Sequence, residues 1–457
     1  MRTWPSSTNT RRQKNMIHSL HVDGTVVSDH AAMAEASFTH FEGLLGTSVD
    51  RQYSLDLDFL GTHSEDLSEL EAAFTEDEIW EVVRRLPHGK APGPDGFTAE
   101  FLQGCWGIVK GNFMAAFDKL FTMCGRGFQG LNQALLILLP KRPDAAALGD
   151  YRPISLIHIF AKLVAKTLAS RLAPRMESLV DRNQCAFIRK RCIHDNFMLV
   201  QQTARFLHRL KEPRVMLKLD IARAFDSVSW GFLVQVLRKM GFGPRFCELV
   251  AILLSTASTR VMLNGEPGPP IWHRRGLRQG DPLSPSLFML VMNTLNRVLA
   301  KAIELGILRR LARREMATSV SLYADDVVIF CHPDETELRA IRSILELFGH
   351  ASGLHTSFAK CSVSPIACSE EEANRAAVVM ECQLAPFPVK YLGIPLSIRR
   401  LPSEAFQPLV DRLADKLPTW KASMMPKAGR LALVRSVLAA IPLHQLIVLS
   451  INKKALK

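Results

Sequence analysis

The 457-residue sequence contains no apolar run of the roughly 18 residues that a membrane-spanning helix needs. Its opening stretch, MRTWPSSTNTRRQKN, has no apolar core and so is no secretory signal. Nine cysteines are scattered with no CxxC pair, and Cys185, Cys192 and His194 lack a fourth ligand at zinc-binding spacing. Free thiols fit a reducing, intracellular compartment. There is no internal repeat and no low-complexity tract. Acid is in short supply: 44 Asp and Glu against 57 Lys and Arg leave a net charge of +13 and a pI of about 9.4. These shortages exclude a membrane span, a secreted disulfide scaffold and a zinc module, and the basic excess points to a polyanionic partner. What is present, 47% apolar and 22% charged residues, is the composition of a globular chain long enough for two or three packed subdomains.

Residues 1–70 are polar and weakly patterned, and read as a poorly structured linker or remnant. The first helix signal is FTEDEIWEVVRRL, with Thr75 as N-cap and Glu78 as its capping-box partner. HGKAPGPDGF interrupts regular structure, and helical pattern then resumes to about residue 125. ALLILLPKRPD predicts a strand and a basic turn, and GDYRPISLIHIFAKLVAKTLASRL a turn and a long helix. VMLKLD predicts a strand with Val215, Leu217 and Leu219 on one face and Met216, Lys218 and Asp220 on the other. After the basic turn HRRGLRQGDPLSP, Ser284 is expected to cap a helix with Pro285 at its first position and Gly306 at its end. A further helix places Leu338, Ile341, Leu345 and Phe348 on one face and should stop at Gly349. The last third carries a short strand, KYLGIPL, and then helices.

SLYADDVVIF is the odd stretch, because Asp325 and Asp326 sit side by side between apolar runs that read as strands. A tight hairpin with Ala324, Asp325 and Asp326 at its bend resolves this: the flanks are core strands and the acids protrude. Asp220 ends another apolar strand. If the two strands are sheet neighbours, three carboxylates converge, and they stay ionised only beside a cation. Hard oxygen ligands select Mg²⁺, and two such ions about 4 Å apart activate a hydroxyl and stabilise a leaving phosphate. The competing reading is a solvated turn.

YADD within that stretch, with LKLDIARAFDSVSW, GLRQGDPLSP, DYRPISL, GKAPGPDGF, SGLHTSFAKCSVSP and YLGIPL, resembles the reverse transcriptase of plant non-LTR (LINE-type) retrotransposons. The blocks run in the family's order over roughly residues 75–445. The resemblance implies an α/β (α+β) right-hand polymerase: fingers and a palm of antiparallel sheet plus helices over 71–400, and a helical basic thumb over 401–457, where residues 403–457 carry nine Lys/Arg and three Asp/Glu. It implies RNA-directed DNA polymerisation, with an RNA template, a DNA primer, deoxynucleoside triphosphates and two Mg²⁺ ions. It makes Asp220 and Asp325 the metal ligands, with Asp326 assisting, and Asp226 structural. Phe225 matches the steric gate against a 2′-OH, against the plain reading of a core phenylalanine. Gln279 and Gly280 match the turn that packs on the templating base and incoming nucleotide. Lys141 and Arg152 match finger residues that neutralise the triphosphate, and Lys360 a lysine suspected of protonating pyrophosphate. YLGIPL becomes a primer-grip hairpin, and Trp420 a base-stacking or core residue of the thumb.

Two positions depart from the family pattern, Lys190 where glycine is usual and Ser357 where asparagine is usual. Residues 1–70 are too short for the family's endonuclease, so the chain is expected to be a fragment or a decayed copy. Its expected location is the nucleus or a cytoplasmic ribonucleoprotein, with no membrane partner. The alternatives are a decayed palm that only binds nucleic acid and a group II intron-type maturase.

Overall fold

The structure is a computed structural model that describes residues 16–48, 51, 53–61, 64–122, 125–312, 319–417 and 424–449. The chain opens with a hairpin, β1 (Leu20–Val22) and β2 (Thr25–Val27), followed by helix α1 (His30–Phe41) and a π-helical turn, Glu42–Gly46. Over the described residues this is ordered structure, where the sequence of residues 1–70 reads as a poorly structured linker or remnant. The stretch has few apolar residues, but Ile17, Leu20, Met33, Phe41, Leu44 and Leu45 are all buried in one cluster with Leu136, Leu138, Val261, Leu263 and Ile271 of the neighbouring sheet. A short segment between polar loops needs only that many anchors to dock, and so shows little period of its own. Leu55, Leu57, Leu67 and Leu70 likewise enter the main core.

Helices α2 (Glu76–Arg84) and α3 (Ala99–Thr122) follow. The Thr75 hydroxyl caps α2 by accepting from the Glu78 N–H at 3.3 Å. The Glu78 carboxylate does not complete a capping box; it takes Arg171 in a forked pair at 2.6 and 2.7 Å. A bidentate partly buried guanidinium outcompetes a backbone N–H for that carboxylate.

The fingers sheet has the order β4-β3-β6-β7, from β3 (Gln133–Pro140), β4 (Tyr151–Ile157), β6 (Ser258–Leu263) and β7 (Glu266–Trp272). DYRPISL is therefore a strand and not the expected turn. Its Pro153 is tolerated because β4 is an edge strand. Helices α4 (Ile159–Leu172) and α5 (Ile193–Leu210) lead to the palm strand β5 (Arg214–Asp220), and α6 (Trp230–Lys239) and α7 (Pro244–Ser255) to the β6–β7 hairpin. That hairpin turns at Asn264 and Gly265, both at positive φ, as a two-residue Asn-Gly turn requires.

Helix α8 spans Ser284–Glu304, but its cap is not Ser284. The Asp281 carboxyl group accepts from the backbone N–H groups of Leu283 and Ser284 instead, satisfying two of the free donors at the helix start at once. Strands β8 (Val320–Tyr323) and β9 (Asp326–Cys331), helix α9 (Glu335–Ser352), β10 (Ser362–Ile366), helix α10 (Glu370–Val379) and β11 (Gln383–Leu384) complete the palm. Helix α9 ends at Gly353, which sits at φ +83°, and Gly349 is buried one turn inside it. The palm sheet has the order β11-β10-β5-β9-β8. Its alternation is clean: Val215, Leu217 and Leu219 pair with Cys331, Ile329 and Val327 and face the main core. Met216 and its partner Phe330 face a second cluster built on Phe197, Val200 and Leu207 of α5 and on the hairpin β12 (Val389–Tyr391) and β13 (Ile394–Leu396).

KYLGIPL is thus two strands, folded back at Leu392 and Gly393, both at positive φ. Helices α11 (Gln407–Ala414), α12 (Lys427–Leu433) and α13 (Ala440–Leu446) close the described chain. His444 of α13 donates to the Leu392 carbonyl at 2.9 Å, holding that hairpin's turn. Trp420 lies outside the described residues. No helix among them is long and apolar enough to cross a membrane.

Candidate active site

Antiparallel pairing of β5 with β9 puts Asp220 directly opposite Asp326. Side chains opposed in that way share a face with Cβ atoms about 4.5–5.5 Å apart. Asp325 stands one residue earlier, in the two-residue turn between Tyr323 and Asp326, where Ala324 takes φ +55°. The acids therefore stand at a strand end and a hairpin tip, and not within a strand. The turn has its own support. Gln184 is fully buried, and its Oε1 accepts from the Ala324 N–H at 3.2 Å and the Ala186 N–H at 3.0 Å. Asn196 donates to the Ser321 hydroxyl and the Leu322 carbonyl just before it.

Asp220 is held from the other side. Its carbonyl accepts from Ser357 at 2.8 Å, and its N–H meets the Cys361 sulfur at 3.3 Å. The departure from the family pattern at Ser357 falls on this support, which uses only the backbone of residue 357. The same short turn carries exposed Lys360.

Asp220 and Asp325 line one cleft of about 670 Å³ together with Lys141, Arg152, Phe225, Gln279, Gly280 and Lys360. Asp326 is half-buried beside this wall, near Lys218. Phe225 is half-buried and stacks on Phe288 with ring centroids 4.4 Å apart and planes at 21°. Gly280 sits at φ +105°, and a Cβ there would come within 2.9 Å of the Ser155 carbonyl. Only glycine allows that approach. Ser155 in turn donates to the Gln279 carbonyl at 2.8 Å, so the turn is pinned to finger strand β4. Beneath it, buried Arg278 reaches the Asn132 carbonyl at 3.1 Å and side chain at 2.5 Å, with Asp281 3.5 Å away. Lys141 donates to the Gly149 carbonyl at 2.8 Å and Arg152 is exposed.

The electrostatics are those of a crowded acidic corner. Burial, then the neighbouring Asp220, push the Asp325 carboxyl above its ordinary value. Asp326 is pushed up by burial and by Asp325, against the pull of Lys218. Asp325 stays open to solvent at the hairpin tip, so its shift is no measure of stability. Two carboxylates lining one cleft, one of them disfavoured in its charged form by burial and by the other, fit a hard divalent cation. No group of three or more His, Cys, Asp or Glu side chains converges as a metal site among the described residues. The donor set therefore fits an ion held by one or two carboxylates, with water and ligand phosphates supplying the rest, which is the habit of Mg²⁺. Cys192 lies 3.1 Å from His194, which makes a pair and no zinc site.

The structure adds residues that sequence reasoning missed. Asp226, read as structural, also lines the cleft. Burial raises its carboxyl to about 6, despite Arg223, Gln279 and Lys141. Because that value lies above the ordinary 3.8, the bound proton stabilises the fold fully below about 3.8 and is lost as pH rises through about 6. The span corresponds to about 3 kcal/mol. Asp226→Asn should therefore gain melting temperature relative to the wild type between pH 5 and pH 8; an equal difference at both would mean an unshifted carboxyl. Arg223, at φ +50°, and the N-terminal residues His40, Phe41 and Leu44 line the same cleft. Phe187 joins them with 60% exposure. Lys190, the other departure from the family pattern, takes φ +68°, the conformation that favours the usual glycine.

A family model described as reverse transcriptase (RNA-dependent DNA polymerase) matches residues 139–396, the span holding the acids and every cleft residue foreseen from the sequence. The chain is 29% identical over 435 residues to the "Transposon TX1 uncharacterized 149 kDa protein" of Xenopus laevis, covering 94% of this chain and 33% of that one. It is 27% identical over 400 residues to a retrovirus-related Pol polyprotein from a type-2 retrotransposable element of Drosophila melanogaster, covering 82% and 35%. A Pol polyprotein of a type-1 retrotransposable element from Nasonia vitripennis is 27% identical over 304 residues, covering 65% and 27%. The chain thus spans between about a quarter and a third of the length of these relatives.

Proposed function

Because the chain belongs to the reverse transcriptase (RNA-dependent DNA polymerase) family, in its non-LTR retroelement branch, we propose that it copies RNA into DNA, adding deoxynucleotides to a primer 3′-OH and releasing pyrophosphate. The observation that carries this reading is the placement of Asp220 and Asp325 on the wall of the cleft that Phe225, Gln279 and Gly280 also line. A polymerase needs little covalent chemistry from its side chains. It needs positioning and charge stabilisation.

In this reading Asp220 and Asp325 would hold the divalent ions, and Asp326 adjusts the charge around them. When bound there, Mg²⁺, two ions in our proposal, supplies Lewis-acid stabilisation of the attacking and leaving oxygens. Lys141 and Arg152 neutralise the triphosphate, lysine as a point charge and arginine through forked contacts. The Phe225 ring lies under the sugar and excludes a 2′-OH. Gln279 and Gly280 pack against the nascent base pair, and Lys360 gives a proton to the departing pyrophosphate. The hairpin β12–β13 grips the primer, and the basic helices beyond it track the duplex backbone as a thumb. Template, primer and deoxynucleoside triphosphates are the partners we assign. The affiliation with plant elements, suggested by the sequence motifs, is part of the same proposal.

Primer extension on poly(rA)–oligo(dT) with Mg²⁺ tests it. Template-dependent incorporation of dTMP is expected. A folded protein that binds the duplex but never extends it would overturn the proposal in favour of a non-catalytic binder.

A further inference from the structure

Among the eight described cysteines one, Cys192, is exposed; the others are half-buried or buried. Three of those others point their sulfur at a peptide carbonyl: Cys361 at Ser357, Cys368 at Arg214 and Cys382 at Met380, at 3.2, 3.0 and 3.3 Å. A carbonyl accepts a hydrogen bond but takes up no proton. Burial adds to this, pushing the Cys247 thiol up to about 11 and the Cys382 thiol up to about 12. Such thiols stay protonated and inert.

Cys192 faces a base instead. Its sulfur lies 3.1 Å from His194 Nδ1, and His194 Nε2 lies 3.0 Å from the His444 carbonyl of α13. A carbonyl can only accept, so Nε2 carries the ring hydrogen, and in the neutral ring Nδ1 is the acceptor that meets the thiol. The tautomer is thus fixed by a residue 250 positions away in the chain. His444 is itself held: its ring donates to the Leu392 carbonyl at 2.9 Å, and the two imidazoles pack with centroids 5.1 Å apart. On the other side, the Asp195 carboxylate accepts from the Cys192 N–H at 3.0 Å, which fixes the backbone that carries the sulfur. A nucleophile within hydrogen-bond reach of a base, with the base oriented by a third group, is the arrangement of an activated nucleophile. Cys192 also stands just before the 18-residue α5, whose positive end favours a developing thiolate. Neither Cys192 nor His194 lines the cleft that holds Asp220 and Asp325.

We propose that Cys192 and His194 form a thiol-exchange site at which Cys192 attacks a low-molecular-weight disulfide with His194 as the base. The Cys192 S–H proton passes to His194 Nδ1 as the sulfur attacks one sulfur of the disulfide. A new S–S bond to Cys192 forms, the old S–S bond breaks, and the leaving thiolate takes the proton back from the imidazolium. Cys192 is oxidised to a mixed disulfide and one small thiol is released reduced. A second thiol attacking the mixed disulfide runs the step in reverse.

The test mixes the reduced full chain at pH 7 with oxidised glutathione, and peptide mass spectrometry locates and times the adduct. The mixed disulfide at Cys192 should form about tenfold faster or more in the folded chain than at the same residue in the chain unfolded in urea, and faster than at half-buried Cys105. Dithiothreitol should reverse it. His194→Gln places an amide N–H where Nε2–H donates and offers the thiol no base. That variant should keep its melting temperature while the rate at Cys192 falls to that of the unfolded chain. A folded wild type whose Cys192 reacts no faster than in urea overturns the proposal. So does an unchanged rate in a His194→Gln variant of native melting temperature, which would leave Cys192 an exposed thiol and nothing more. If the glutamine variant melts early, His194→Asn takes its place under the same two outcomes, and the comparison of folded with unfolded wild type decides where neither variant folds. Nucleotide incorporation enters none of these readouts, so the site stands or falls apart from the polymerase reading.

Discussion

Asp325→Asn should abolish primer extension, by about 10³-fold or more, while affinity for a primer–template duplex is retained. The substitution keeps the shape of the hairpin tip and removes one ligand charge. Lewis-acid stabilisation at such a site is worth several kcal/mol, and each 1.36 kcal/mol is about tenfold in rate. Folding should not suffer. Asp325 stands at an exposed tip, and burial together with Asp220 already disfavours its charged form. A neutral amide of the same shape keeps the turn, so the melting temperature should hold at pH 8. A readout independent of activity is the stabilisation of the wild type by Mg²⁺, which should shrink in the variant because an ion that binds only the folded state stabilises by mass action. An unchanged extension rate, or an unchanged response to Mg²⁺, would mean that Asp325 holds no metal.

Phe225→Ala should admit ribonucleotides at least tenfold better relative to deoxynucleotides, with deoxynucleotide use falling modestly. The shape of a pocket wall around one small substrate group is worth about 1–3 kcal/mol of discrimination. The ring lines the cleft beside Asp220 and stacks on Phe288, so the variant changes a wall and a partly buried pair at once. Full burial of a phenylalanine would make its truncation cost about 3–5 kcal/mol. Phe225 is only half-buried, and a cost of roughly half that is expected. Melting temperature and sugar choice therefore separate the two roles. A variant that melts early and loses both nucleotides equally leaves Phe225 as packing alone. A selective gain of ribonucleotides with modest destabilisation assigns it the gate.

Much of the palm is legible in the sequence because its signals are local. The alternation of VMLKLD follows from strand geometry, and the observed faces, Leu217 on the main core and Met216 on the second cluster, are the predicted ones. Two acids between apolar runs require a turn, and Ala324 and Asp325 make it. Where sequence and structure differ, another partner has won. Glu78 leaves its cap for Arg171, and Asp281 displaces Ser284 at the start of α8. DYRPISL reads as a turn because proline and charge outweigh a pairing that only strand β3 supplies. The β6–β7 hairpin escapes the sequence reading although Asn264-Gly265 is a strong short-range turn signal, because the strand after it, rich in proline and glycine, has no apolar alternation.

The sequence by itself determined which residues carry charge into the palm, and the order of motifs along the chain. Hydrophobic period, turn chemistry and the isolation of Asp220, Asp325 and Asp326 within apolar surroundings are properties of neighbours along the chain. Only the tertiary structure decided that Asp220 faces Asp326 across a strand pair, that Gln184 and Ser357 brace the acids from opposite sides, and that residues of the N-terminal unit line the same cleft as Asp220 and Asp325. The physical reason is the range of the forces involved. Local periodicity is set by backbone sterics over a few residues, whereas burial, desolvation and Coulomb repulsion depend on groups that the folded chain alone brings together.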